Sequence, residues 1–337
     1  MPDMPREELS QKFYALSQRQ SLPLINILNS NEGKAGQHLS PKEPIFWMDR
    51  LTVLFRYLSV TELGDAPHPC LKSVQEIWPV LLRACQQYEE SLKVAEHCCR
   101  TIRFVIRCLG MQSLPFISPL VNKMFEVYQK HPHSCFLYLG SVLVDEYGEH
   151  ESFVPGLVQM LEAFVDPAFK ILQQTNGLQN CSDTVDDLFR LALRFVQKAP
   201  VAFFLSEKHR PLVACATTCI TLDHRDACQS VSKFVVEVLA FVCEMKKKSS
   251  QIQSAKNAEQ VVNDYGPSLV QNVIFGSVFQ LSLPLHREMA EILMSVKLLS
   301  PECLSQWLGA ALKALPRQGT LTASTEQLEQ VHREIMR

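Results

Sequence analysis

The 337-residue sequence contains no G-x-x-x-x-G-K-[ST], G-x-G-x-x-G, G-x-S-x-G, H-E-x-x-H or C-x-x-C. Phosphate-loop, dinucleotide, serine-hydrolase and zinc-protease chemistries need their glycines, nucleophiles or ligands at those spacings, so none has support here. Period-2 alternation between Asn-Gly or Asp-Gly turns is also lacking, which argues against a β fold. The N-terminus, MPDMPREELSQKF, is charged and has no apolar core of a secretory signal. The twelve cysteines are therefore expected as free thiols in a reducing compartment, most of them small buried hydrophobes. The most apolar stretches, 234–245 and 268–283, are short of a bilayer span or broken by polar residues, so no membrane is expected as a partner. A net charge of −2 attracts neither nucleic acid nor an anionic surface, and a polyanion would have to be held by a local basic cluster.

What is present is helical periodicity. Apolar residues recur at i, i+3, i+4 and i+7, and 47% hydrophobic residues suffice for a continuous core. The spacing predicts fourteen helices of similar length: 7–28, 44–58, 70–89, 91–109, 118–129, 134–146, 154–173, 184–197, 210–221, 227–244, 258–280, 285–297, 300–314 and 325–336. Short joints rich in Pro, Gly, Asn and Asp connect them, and nearly all keep a polar stripe. Helices buried on one face only fit an all-α fold, an α-solenoid of stacked HEAT-type helical hairpins forming a single domain over 1–337. Exposed loops are expected at 29–44 and 246–256, the second carrying a run of three lysines.

Candidate chemistries are few. His131, His133 and Cys135 lie close in HPHSC, and a Zn²⁺ site there would need a second cluster, which His97, Cys98 and Cys99 could supply only through tertiary proximity. Asp183, Asp186 and Asp187 read as the acidic first turn of a helix, with Asp183 as a cap, rather than as catalytic carboxylates. No cofactor and no enzymatic activity are expected. The stretch HCCRTIRFVIRC (97–108) is more informative. At 100° per residue Arg100, Arg103 and Arg107 fall within about 60° of one another, and Lys93 and His97 extend the stripe. Cys98, Ile102, Val105, Ile106 and Leu109 cover the opposite side. Glu96 can pair with Arg100, but the residues four before Arg103 and Arg107 are Cys99 and Arg103, so the clustered charge suits an acidic ligand.

Five segments carry a resemblance: HPCLKSVQEIWPVL (68–81), EHCCRTIRFVIRCLG (96–110), HSCFLYLGSVLVDEYG (133–148), NGLQNCSDTVDDLFRLALRFVQKAPV (176–201) and TLDHRDA (221–227). They resemble the transportin-SR receptors of the importin-β family, nuclear import receptors for serine/arginine-rich splicing factors. The likeness extends from about residue 46 to about 316. It implies a HEAT-repeat solenoid whose arginine-rich helix, here Arg100, Arg103 and Arg107, binds phosphorylated RS segments of cargo. His97 stands where the family suggests another arginine, which weakens that position near neutral pH. Asp145 and Glu146 could receive cargo arginines or could be helix-end charges. The resemblance further implies the C-terminal portion of such a receptor, found in cytoplasm and nucleus, with Ran-GTP binding not expected because the N-terminal arch is absent. The alternative is a truncated, non-transporting HEAT scaffold that binds another protein.

Overall fold

The structure is a computed structural model that describes residues 5–30, 42–58, 66–249, 252–316 and 323–337. No strand occurs among them, and the fold is all-α, a helical-repeat solenoid. Among the described residues sixteen helices follow one another: α1 (Arg6–Ser30), α2 (Pro44–Arg56), α3 (Leu71–Gln87), α4 (Leu92–Leu109), α5 (Ile117–Lys130), α6 (Cys135–Tyr147), α7 (Val154–Leu172), α8 (Gly177–Asn180), α9 (Ser182–Lys198), α10 (Pro200–Leu205), α11 (His209–Cys219), α12 (Arg225–Lys247), α13 (Gln253–Phe279), α14 (His286–Leu299), α15 (Pro301–Lys313) and α16 (Thr325–Met336). Each of the fourteen expected helices has a counterpart. The short α8 and α10, with the 3₁₀ turns Gly110–Phe116 and Leu283–Leu285, were not foreseen, because a single turn is too short to display a period.

The expected loops are modified. The lysine run belongs largely to the last turn of α12, which continues to Lys247, and α13 begins at Gln253, so most of 246–256 is helical. Cations close a helix C-terminus favourably, which is why the run extends the helix instead of ending it. Of 29–44, the first two residues finish α1, Pro44 opens α2, and 31–41 lie outside the described residues. The expected Asp183 cap is also corrected. Helix α9 starts two residues earlier, at Ser182, and Asp183 sits in its first turn, where its charge still complements the dipole.

The chain divides into two compact units, 1–142 and 143–337. In the first, α1 packs on α2 and α3, α2 on α4, and α3 on α4 and α5. Two layers result, with α2 and α4 in one and α1, α3 and α5 in the other. Phe13 meets Phe55 edge-on at 5.2 Å, and Trp78 lies 5.3 Å from Phe116, so rings fill the seams between hairpins. The helical run 92–130 is long and apolar enough to be a bilayer-span candidate. It is no single rod: Gly110, at φ +53, ends α4, and the 3₁₀ turn with Pro115 separates α4 from α5.

In the second unit α12 is the hub, packed against α9 and α14, while α13 packs on α10, α11 and α15. Phe189, Phe203, Phe204 and Phe234 are wholly buried and form a run of ring contacts at 5.1–6.0 Å, continued by Phe241 stacked on Phe204 at 4.8 Å. Gly266, buried inside α13, lets Trp307 of α15 lie directly on the helix backbone; a Cβ there would stand 2.3 Å from the ring. Ordinarily Gly→Ala in a helix gains about 1 kcal/mol. Here Gly266→Ala is expected to destabilise by about 1–3 kcal/mol, because the indole has to leave its seat. A denaturation midpoint equal to or above wild type would contradict this. Helix α16, opened by a capping box between Ser324 and Gln327, buries none of its residues completely. Its link to α15 includes His332, whose Nε2 lies 3.0 Å from the Ser305 carbonyl oxygen.

Candidate functional site

Helix α4 forms where the apolar spacing demands it. Ser91 caps it, its hydroxyl accepting from the Val94 amide. Its buried side holds Val94, Ala95, Cys98, Cys99, Thr101, Ile102, Val105, Ile106 and Leu109, as expected for a helix pinned between two layers. Thr101 fixes the pairing with α2: its hydroxyl lies 2.9 Å from that of Thr52, with the carbonyl oxygens of His97 and Met48 at 2.8 and 3.2 Å as acceptors for its one proton. Cys98 donates to the Leu81 carbonyl oxygen at 3.1 Å, and Cys99 meets Cys135 at 3.8 Å. Neighbouring thiols and burial raise the pKa of Cys98, while burial first and Cys135 second raise that of Cys99. Both are packing residues, unreactive by this measure.

The basic stripe faces away from this core. Lys93, Arg100 and Arg107 are exposed, and His97 and Arg103 are half-buried. The expected Glu96–Arg100 pair is not formed, and among the described residues Arg100 has no carboxylate partner. An i,i+4 pair at the surface is worth only a few tenths of a kcal/mol, too little to dictate the rotamers of two long side chains. His97 is held by Asp49 of α2, Nδ1 to Oδ1 2.5 Å, so it is engaged within the fold. Arg103 donates from Nη1 to the Tyr138 hydroxyl at 2.5 Å. Its guanidinium carbon is 4.4 Å from the Phe104 ring centre and 5.5 Å from that of Tyr138. Its buried Nε has no acceptor.

Sequence spacing did not reveal Arg56. From the adjacent α2 it reaches Phe104 at 5.6 Å, so a single ring carries both Arg56 and Arg103. Nearby on α2, Arg50 lies 5.2 Å from Phe46 and 5.7 Å from Trp47. Only the register of α2 against α4 brings these groups together, and no one-helix pattern contains it. Elsewhere cations are commonly paired: Lys130 with Glu89, Arg190 with Asp186, Lys198 with Glu149, Lys208 with Asp166 and Arg210 with Asp264. By contrast, among the described residues none of Arg50, Arg56, Arg100 and Arg103 has an ion pair to a carboxylate. The surface of α2 and α4 is therefore a ridge of guanidinium groups supported by aromatic rings.

The other candidates disperse. His133 bonds through Nε2 to the Glu89 carbonyl oxygen at 2.8 Å, His131 lies 4.0 Å from the Glu89 carboxylate, and Cys135 turns to Cys99. No metal site is assembled from these residues and His97, Cys98 and Cys99. Asp186 pairs with Arg190 and accepts from Ser230, and Asp145 lies 3.6 Å from Arg194 of α9. Asp145 thus has a partner within its own unit, in keeping with a helix-end charge.

Residues 68–172, which include α4, match the family model of the Transportin-3/Importin-13 fourth TPR domain. Over this segment the chain is similar to nuclear transport receptors. It is 24% identical to "Transportin MOS14" of Arabidopsis thaliana over 67% of its own length and 23% of the plant protein. It is 22% identical to an uncharacterized Schizosaccharomyces pombe protein over 58% of the chain and 20% of that protein. A solved structure titled "Importin13 cytosolic state" superposes on the whole chain with a TM-score of 0.79 at 16% identity, spanning 39% of the importin. The chain thus corresponds to well under half the length of each. Its transport-receptor relatives are binding proteins and not enzymes. The family model is described as TPR where the sequence suggested HEAT-type repeats; both are stacked helical hairpins. Helices α2, α4, α6, α9 and α12, opening at Pro44, Leu92, Cys135, Ser182 and Arg225, recur at about the HEAT interval of 40–47 residues.

Proposed function

We propose that this chain is the cargo-binding part of a nuclear import receptor, and that Arg100, Arg103 and Arg107, with Arg56 beside them, bind phosphorylated serine/arginine-rich segments of splicing factors. One observation carries the reading: the guanidinium groups of Arg50, Arg56, Arg100 and Arg103, none of them ion-paired to a carboxylate among the described residues, line α2 and α4, within and beside the segment that matches the transportin-3/importin-13 model. Phosphoserine brings nearly two negative charges and three acceptor oxygens, and each guanidinium offers a planar fork of donors. Aromatic neighbours hold Arg56 and Arg103 in place before a ligand arrives, which lowers the entropy cost of ordering a flexible peptide. Lys93 lies one to two turns before Arg100 and lengthens the positive track, whereas His97 contributes through Asp49 rather than directly. A receptor of this kind moves between cytoplasm and nucleus. Ran-GTP binding is assigned to none of these residues.

The test is a fluorescence titration with one serine/arginine-repeat peptide in phosphorylated and unphosphorylated forms. The wild-type chain is expected to favour the phosphorylated form by at least tenfold in Kd. Equal affinity for the two forms would leave the second reading, a helical scaffold gripping another protein, as the better one.

A further inference from the structure

Beyond the basic ridge, His68, Cys70 and Cys108 bring one ring nitrogen and two thiols within 4.8 Å of one another. They belong to the segment before α3 and the last turn of α4, about forty residues apart in the chain, so no linear motif announces them. The segment is pinned: the His68 amide donates to Gln112 Oε1 at 2.7 Å, and Gln112 Nε2 donates to the Ala66 carbonyl oxygen at 3.0 Å. The ring is pinned too, because Nδ1 accepts the Cys70 amide at 3.1 Å. A ring nitrogen that accepts an amide N–H carries no proton of its own, so in neutral His68 the proton sits on Nε2. That Nε2–H faces Cys108 Sγ at 4.0 Å. This tautomer suits donation to a sulfur anion and leaves Nε2 without a free lone pair for a metal ion.

We propose that Cys108 is a peroxide- and electrophile-reactive thiol, with Cys70 as the thiol that resolves its oxidation product into a disulfide. The two sulfurs are unequal. The Cys70 thiol draws the pKa of Cys108 down, burial opposes this, and His68 assists, for a net fall to about 6. Burial drives Cys70 upward, so it stays protonated. Cys108 is part-exposed while Cys70 is buried, which gives a reagent access to the anionic partner. The Cys108 thiolate attacks one oxygen of hydrogen peroxide, the O–O bond breaks, and hydroxide leaves, giving a sulfenic acid. The Cys70 sulfur then attacks Cys108 sulfur, the S–O bond breaks, and the departing hydroxide takes the Cys70 proton. Two thiols and one peroxide become one disulfide and two waters.

Alkylation by iodoacetamide, followed by peptide mass mapping of the full chain across pH 5–9, tests this. Thiolate fraction rises as pKa falls while intrinsic nucleophilicity declines. Cys108 is therefore expected to label about tenfold faster than Cys243 or Cys303 at pH 6 and only about twofold faster at pH 7, with a midpoint near pH 6. His68→Gln should raise that midpoint. Stoichiometric hydrogen peroxide should yield a linked Cys70–Cys108 peptide pair, and Cys70→Ser should instead accumulate a dimedone-trappable sulfenic acid at Cys108. A Cys108 midpoint above pH 8 in the folded wild type would overturn the assignment. So would stoichiometric Zn²⁺ retained by the chain and lost from Cys70→Ser, which would make the cluster a metal site.

Discussion

Simultaneous replacement of Arg100, Arg103 and Arg107 by alanine is expected to weaken binding of a phosphorylated serine/arginine-repeat peptide by about 30-fold or more, with the helical spectrum preserved. The magnitude follows from exposure. Arg100 and Arg107 point into solvent, where a screened ion pair contributes about 0.2–1 kcal/mol. Arg103 is half-buried between Phe104 and Tyr138, and a charge-assisted bond in such surroundings contributes about 1.5–3 kcal/mol. The sum is dominated by Arg103, so Arg103→Ala alone should lose most of the affinity and Arg100→Ala the least. Added salt should shrink the share of the two exposed arginines, since the screening length falls from about 10 Å at 0.1 M to about 3 Å at 1 M. Arg56→Ala should also weaken binding, although the helix pattern of α4 gives no hint of it. If the triple variant binds as tightly as wild type, the cargo assignment is wrong.

The second large effect concerns stability. Phe234→Ala should destabilise the chain by about 3–5 kcal/mol, the usual range for deleting a wholly buried phenyl group. Phe234 lies at the centre of the second unit, 5.4 Å from Phe189 and 6.0 Å from Phe203, and links α12 to α9 and α10. In a stacked-hairpin fold each layer leans mainly on its neighbours, so the damage should be local. Hydrogen exchange should show α9, α10 and α12 losing protection while α3 and α4 in the first unit keep theirs. A loss spread evenly over both units, or a midpoint shift smaller than that of Gly266→Ala, would contradict this account.

Much of the fold was legible because a helix buried on one side writes its period into the chain. The amphipathic face of α4 was readable to the residue: Cys98, Ile102, Val105, Ile106 and Leu109 are buried, and Lys93, Arg100 and Arg107 are exposed. The candidate site was half legible. Three arginines on one stripe can be counted from spacing, but their surroundings depend on which helix lies alongside. The Arg56–Phe104–Arg103 assembly, the His97–Asp49 contact and the Tyr138 acceptor all cross between helices. Nothing in one-dimensional periodicity encodes such partners. Even the local Glu96–Arg100 pair failed, since few tenths of a kcal/mol cannot hold two flexible solvated side chains together. His68, Cys70 and Cys108 stayed hidden for a related reason: Cys108 was grouped with its neighbours along α4, while its sulfur faces the turn before α3.

Helix α16 fastens to α15 without sinking a single side chain fully into the core. Its capping box and the His332 contact are enough to define its start and its seat, yet little free energy separates docked from undocked. It can therefore peel away on its own, exchanging its amides with solvent and offering itself to proteases first, while the hairpins beneath stay closed.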